Sequence, residues 1–156
     1  MNVFSIRRHQ QRIDNVFART DQLPYDEDQL HSDLARYLCV LIAGFIEQSV
    51  QTIYAEYAKE SASPKVVRFL ERQLDRSTNF NMERLLLLVS SFDDDWADEI
   101  RTHPQYDRYK STVDTVYANR NRIAHGDDVG ISYVQVKDYF DSTAKLIELI
   151  IQQCER

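Results

Sequence analysis

A short stretch near the C-terminal end of the chain combines a cation, an amide and a titratable group. The three residues are Arg120, Asn121 and His125. A guanidinium can hold a phosphate through two parallel hydrogen bonds, and an imidazole, with an unperturbed pKa of ~6.5, can take or give a proton near neutral pH. Together these side chains could bind an anion and act on it.

The apolar residues around Arg120 recur every three or four positions, as on the buried face of an amphipathic helix. Arg120 lies within that stripe. Because a guanidinium is almost never fully buried without a partner, we expect Arg120 to meet a carboxylate, to line a cleft or to lie at an interface between subunits. The stripe consists of Val113, Val116, Tyr117, Ile123 and Ala124.

Arg120 and His125 fall on different faces of this predicted helix, because five steps of about 100° leave them about 140° apart. Asn121 and His125 share a face, one turn apart, so the amide is expected to orient the imidazole. Gly126 is typical of the position just past a helix end, which places His125 in the last turn, where the helix dipole favours a protonated ring. On spacing alone, a salt bridge and a helix cap remain the commoner explanation of such a pair.

The composition of the 156-residue chain predicts one all-α domain over residues 1–156, since three glycines and three prolines leave few breaks. Cys39 and Cys154 lie in apolar helical patterns without metal-site spacing, so we expect reduced core cysteines, no metal site and no cofactor. The N-terminus lacks an apolar signal segment, and no uncharged stretch reaches the ~18 residues of a membrane span. These features predict a soluble cytoplasmic protein with no membrane partner.

The net charge of −6 argues against sequence-independent binding to long duplexes, where neutralised phosphates supply most of the affinity. Any nucleic-acid site must therefore be local, and residues 101–125 do carry a local excess of basic side chains. The acidic cluster at residues 93–95 is expected to be a solvated helix start rather than a metal site.

Periodicity and capping signals predict the helices that must position the motif. In chain order they are a helix over about residues 3–19, one over about 27–60, one that begins at Pro64, a short helix capped by Asn79 or Asn81, another capped by Asp93, the motif helix over about 104–125, and a last helix that begins with a capping box of Ser132 and Gln135.

The second predicted helix is apolar almost all round between Tyr37 and Ile46, so it should be the central one. Gly44 lowers helix propensity there by ~1 kcal/mol relative to alanine, which favours a role in letting another helix approach closely. Glu47 lies on an otherwise apolar face of the same helix. On grounds of charge, Glu47 is the expected partner of Arg120.

The stretch from Arg120 to His125 resembles the signature of HEPN domains, an arginine and a histidine separated by four to six residues, with the favoured polar residue directly after the arginine. The surrounding sequence is more similar still to the branch called RiboL-PSP-HEPN. That resemblance spans most of residues 30–150, and the segments that carry it are residues 34–47, 78–86, 118–126 and 129–137.

The resemblance implies an all-α, HEPN-like helical bundle with extra short helices. It also implies a symmetric homodimer, in which two Arg/His motifs line one cleft at the interface. The implied activity is that of a metal-independent endoribonuclease, which cleaves RNA through attack of the ribose 2′-OH.

In this scheme His125 is the general acid or base, Arg120 clamps the phosphate and Asn121 orients the ring. Glu47 supports Arg120, and Arg122 helps to hold RNA. Family members of this kind often act as toxins or in phage defence and stress responses, which is compatible with an antitoxin or another regulatory partner.

Two alternatives stay open. A non-catalytic HEPN module that binds a nucleotide or RNA, or that only dimerises, would carry the same motif. The HEPN half of a pair with a minimal nucleotidyltransferase antitoxin would carry a tyrosine two residues after the histidine. Asp127 occupies that position, which argues against control through such a tyrosine.

Overall fold

The computed structural model describes all 156 residues and contains seven helices and no strand. The all-α prediction is therefore confirmed. The helices are α1 (Phe4–Asp21), α2 (Asp28–Ser61), α3 (Pro64–Leu74), α4 (Met82–Phe92), α5 (Asp94–Thr102), α6 (Tyr106–Ala124) and α7 (Tyr133–Cys154).

Helix α2 is the centre of the bundle. It packs against α1, α3, α6 and α7, and its residues Leu38, Ile42 and Ile46 are completely buried. Buried apolar residues from all seven helices join in one hydrophobic cluster, and burial of this kind, at ~25 cal/mol per Å², is the main contribution that stabilises a fold. The prediction that the second helix is central is confirmed.

Helix α2 also has the length and the mean hydropathy, 1.4 over an 18-residue window, that a membrane span requires. In the bundle, however, 56% of that window is buried. A core helix that is covered on several sides is expected to be apolar nearly all round. Its hydropathy therefore follows from its place in the core, as in a soluble helical protein.

Side-chain caps set where several helices begin. Asn81 accepts a hydrogen bond from the backbone N–H of Arg84 at the start of α4, and Asp93 accepts from the first turn of α5. Ser132 and Gln135 form the predicted capping box of α7. Of the two candidate caps for α4, Asn81 is the one used. The acidic cluster at residues 93–95 is a helix start.

Both cysteines are free and buried. Burial raises the pKa of Cys39 to about 11 and that of Cys154 to about 12. Both thiols therefore stay protonated near neutral pH, and they contribute to the core as small apolar side chains.

The predicted reason for Gly44 is wrong within one chain. Apart from the neighbouring backbone of α2 itself, no atom lies within 4 Å of the position that a Cβ at this residue would take, so no other helix of the chain approaches it. The neighbour is missing because α2 turns this face to solvent, where Tyr37 is 51% and Val40 38% exposed. An apolar sequence pattern does not reveal which of its faces stays uncovered.

We expect Gly44→Ala to raise the free energy of unfolding of dilute protein by about 1 kcal/mol, because alanine favours the helix and restricts the unfolded chain. Urea or thermal denaturation measures this. Gly126→Ala is the matched control and should destabilise, since Gly126 has a φ of 81°. A loss of stability in Gly44→Ala would contradict the conclusion that this face of α2 is uncovered.

Candidate functional site

Helix α6 carries the motif, and its apolar stripe holds it against the bundle. Tyr109, Val113, Val116 and Tyr117 are buried, and α6 packs against α2 and α7. The Tyr117 hydroxyl donates a 3.0 Å hydrogen bond to the backbone carbonyl of Ala43 in α2. This contact fixes the last turns of α6 beside the central helix, and with them the motif residues that follow.

Arg120 lies at the rim of this packed surface and is half-buried. Its Nη1 donates a 2.9 Å hydrogen bond to Oδ1 of Asn79, in the loop between α3 and α4, and one of 3.3 Å to Oδ1 of Asn121. Nη2 and Nε of Arg120 have no hydrogen-bond partner in the chain and are not buried. Two amide oxygens therefore hold the guanidinium while part of its donor fork stays free.

Glu47, the predicted partner of Arg120, does not form an ion pair with it. The Oε2 atom of Glu47 instead accepts a 3.2 Å hydrogen bond from the backbone N–H of Asn79. This N–H has no acceptor in a helix, so it needs one from a side chain. Asn79 therefore links Glu47 to Arg120, and the predicted direct contact is corrected to an indirect one.

Asn79 is the only residue other than glycine with a positive φ, at 57°. Asparagine enters this left-handed region more readily than most residues, and rare backbone conformations of this kind cluster at functional sites. Sequence reasoning identified Asn79 only as a possible helix cap. The signal that pointed to it was its place in segment 78–86, which resembles a known family.

The Tyr117 hydroxyl lies close to the same group of charges. Burial, with Glu47 beside it, raises the pKa of Tyr117, although Arg120 acts in the opposite sense. The phenol therefore stays protonated and donates to Ala43. Because Tyr109 and Tyr117 are each only 3% exposed, neither offers a ring face for a base to stack on.

Helix α6 ends in a Schellman motif. The N–H of Gly126 donates to the carbonyl of Ile123, and the N–H of Asp127 donates to the carbonyl of Arg122. Gly126 takes the left-handed conformation that this motif requires. His125 is the residue directly before the turn and is exposed, so its expected place at the helix end is confirmed.

The His125 ring makes no hydrogen bond within the chain, so the prediction that Asn121 orients it is corrected: the Asn121 amide oxygen accepts from Arg120, and its NH₂ group does not reach the ring. Arg122 is 55% exposed, and its Nε lies 3.8 Å from Oδ2 of Asp127. No hydrogen bond joins Arg120 to His125, as their different helix faces predict. A single chain therefore orients Arg120 but leaves the imidazole unpartnered.

A polar cleft of about 460 Å³ opens next to the side chains that hold Arg120, between the start of α4 and the middle of α6. Its volume lies in the range of small-molecule sites, ~300–1,000 Å³. No group of three or more His, Cys, Asp or Glu side chains is placed to hold a metal ion. The polar side chains that line the cleft include Asn79, Asn81, Arg84, Lys110, Asp114 and Asn121.

Residues 7–156 match the model of a protein family that is described as RiboL-PSP-HEPN. The match includes all of the motif helix, the loop that carries Asn79 and the central helix that carries Glu47. No curated protein and no solved structure matches the chain.

Proposed function

Because the chain belongs to the RiboL-PSP-HEPN family, we propose that it is a metal-independent endoribonuclease whose active site forms between two copies of the chain. HEPN domains often have ribonuclease activity, and they commonly bind RNA or dimerise. The proposal assigns this activity to the Arg120 to His125 motif. The expected substrate is RNA, and the expected compartment is the cytoplasm.

The proposed reaction uses the substrate's own nucleophile. The 2′-oxygen attacks the adjacent phosphorus, the O2′–P bond forms and the P–O5′ bond breaks. A base removes the 2′ proton and an acid protonates the leaving 5′-oxygen, which gives a 2′,3′-cyclic phosphate and a 5′-hydroxyl. Histidine suits both proton transfers near neutral pH, and arginine stabilises the negative charge that grows on the phosphorane.

The observation that carries the proposal is the state of Arg120. Its guanidinium is held by Asn79 and Asn121 through Nη1, while Nη2 and Nε remain free, and the two asparagines that hold it line a polar cleft. A pre-oriented cation with free donors is what phosphate recognition requires. A cation that served only to stabilise the fold would be expected to meet a carboxylate, and Arg120 does not.

The different directions of Arg120 and His125 support a site shared by two copies. Within one chain no hydrogen bond joins the two side chains, and their spacing turns them to different faces of α6. A symmetric dimer brings an arginine and a histidine from different copies to one cleft, because a two-fold interface presents the same surface twice. The dimer would also supply the second histidine that an acid and a base together require.

The alternative is a module that binds a nucleotide or RNA, or that dimerises, without cleavage. One observation favours it: the His125 ring has no hydrogen bond that would fix its tautomer or orientation. Catalytic histidines are ordinarily oriented by such a partner. The alternative and the main proposal share the role of Arg120 and differ in that of His125.

The experiment is cleavage of a labelled structured RNA by wild-type protein in excess EDTA, with a matched substrate that carries a 2′-deoxyribose at the main cut site. We expect cleavage that persists in EDTA, stops at the deoxy position and leaves a 2′,3′-cyclic phosphate. Light scattering on the same sample measures whether the protein is a dimer. Dimeric protein that binds these RNAs and leaves them intact would favour the binding module.

Family members of this kind that act as toxins or in phage defence require restraint, so we also propose a regulatory partner such as an antitoxin. Such a partner would be expected to cover the cleft beside Arg120 or to hold apart the two copies of the chain. Co-purification with the products of neighbouring genes tests this proposal.

A further inference from the structure

The three asparagines of the cleft have amide orientations that hydrogen bonding determines. Oδ1 of Asn79 and Oδ1 of Asn121 accept from Arg120, and Oδ1 of Asn81 accepts 2.9 Å from the backbone N–H of Arg84. A guanidinium and a peptide N–H can only donate. Each amide must therefore turn its oxygen toward the donor, and its NH₂ group takes no part in these contacts.

The three NH₂ groups are unused within the chain. None of the Nδ2 atoms donates a hydrogen bond to another residue, and none is a buried atom without a partner. All three asparagines line the same cleft. The residues that line the cleft therefore carry free hydrogen-bond donors.

The charged residues of the cleft leave this donor character in place. Asp114 accepts from the backbone N–H of Met82 and from Lys110 through its two oxygens, so its acceptors are occupied. Arg84 forms no ion pair and adds further donors. Of the two carboxylates that line the cleft, Glu83 is the one that accepts no hydrogen bond from the chain, and its charge acts on Lys110. The formal charges of these four residues cancel.

We propose that this cleft is a base-binding subsite, which takes a nucleobase with a carbonyl oxygen, uracil, guanine or cytosine, from the RNA strand that lies on Arg120. Free amide and guanidinium donors match carbonyl acceptors on a base edge, and adenine has no carbonyl group. Because the charges cancel, a neutral carbonyl fits the cleft better than a second phosphate does. The inference rests on the proposed function for its substrate class, RNA. It adds a preference for particular bases of that RNA.

The test measures binding of fluorescent 2′-O-methyl hexamers of uridine, of adenosine and of abasic ribose phosphate, by anisotropy. Such strands cannot be cut through a 2′-OH, so the readout does not depend on catalysis. The variant is Asn81→Ser with Arg84→Met, since serine keeps the helix cap but lacks the NH₂ group. The matched control is Asn2→Ser with Arg8→Met, because Asn2 also accepts a backbone N–H and Arg8 is an exposed arginine without an ion pair.

We expect the cleft variant to bind the uridine hexamer about tenfold more weakly than wild type, as for the loss of one or two hydrogen bonds, and to bind the other two strands within about threefold. The control should change none of the three. Arg84→Met alone, at an exposed position, gives the same comparison if Asn81→Ser disturbs folding. An equal loss on all three strands would assign these donors to the backbone and overturn the subsite.

Equal affinity of the variant and wild type for uridine, or an equal effect of the control, would overturn it as well. Wild-type protein that cleaves RNA but binds uridine and adenosine hexamers alike would remove the subsite and leave the nuclease. Wild-type protein that prefers uridine but never cleaves RNA would remove the nuclease and leave the subsite.

Discussion

His125→Ala is expected to lower kcat/KM for RNA cleavage by about 10²–10⁴-fold, the usual contribution of a general acid or base. Arg120→Ala is expected to lower it by a similar factor, because removal of a preorganised donor to a developing charge costs about 10²–10³-fold. His125 is exposed, so its loss should leave the fold unchanged. Initial rates on a labelled RNA, with thermal unfolding of each variant, measure both effects.

Arg122→Ala is the matched control, since Arg122 is an exposed arginine of the same helix with only a loose ion pair to Asp127. It should lower kcat/KM by less than about tenfold, as for one peripheral phosphate contact. Arg120→Lys should not restore activity, because an ammonium lacks the planar fork of donors. Activity of folded His125→Ala at the wild-type level would rule out a catalytic role for His125 and favour the binding module.

Asn79→Gly is expected to reduce kcat about 10- to 100-fold while the free energy of unfolding changes by less than about 1 kcal/mol. Glycine adopts the left-handed backbone without cost and keeps the peptide N–H that donates to Glu47. It removes only the side chain, and with it the 2.9 Å hydrogen bond that holds Arg120. The guanidinium then samples other positions, and a small displacement of a catalytic group lowers the rate strongly.

Asn79→Asp tests whether Asn79 acts by positioning Arg120, because a carboxylate keeps an oxygen acceptor for the guanidinium. It should retain most of kcat, whereas Asn79→Ala should lose both kcat and stability, since alanine in the left-handed region costs about 1–2 kcal/mol. Rates and denaturation curves for the three variants form one series. Full activity in Asn79→Gly would show that the contact with Asn79 does not matter for Arg120.

The fold was predictable where the signals are local. Pro64, Asn81, Asp93 and the Ser132 to Gln135 capping box act within one turn of the chain, and the structure places helix starts at each of them. Apolar periodicity acts over a few turns. It was enough to identify the central and motif helices.

What the sequence left undetermined depends on residues that are far apart in the chain. Glu47 and Arg120 were expected to pair by charge, but the loop that carries Asn79 lies between them, and its path follows from how α3 and α4 pack. The same limit applies to Gly44, whose pattern suggests a neighbour that the chain does not supply. Local patterns give the elements, and contacts across the fold decide which groups meet.

The two demands on Asn79 restrict how this position can vary in evolution. Its backbone favours asparagine, aspartate or glycine, and its contact with Arg120 requires a side-chain oxygen at the right distance. Glycine meets only the first demand, and serine or glutamine meets at most the second. The fold requires of Asn81 only that it caps α4, and several residues can do that. The fold therefore tolerates far fewer substitutions at Asn79 than at Asn81, two residues away. During evolution, a substitution at position 79 is the most direct way to inactivate Arg120 without replacing it.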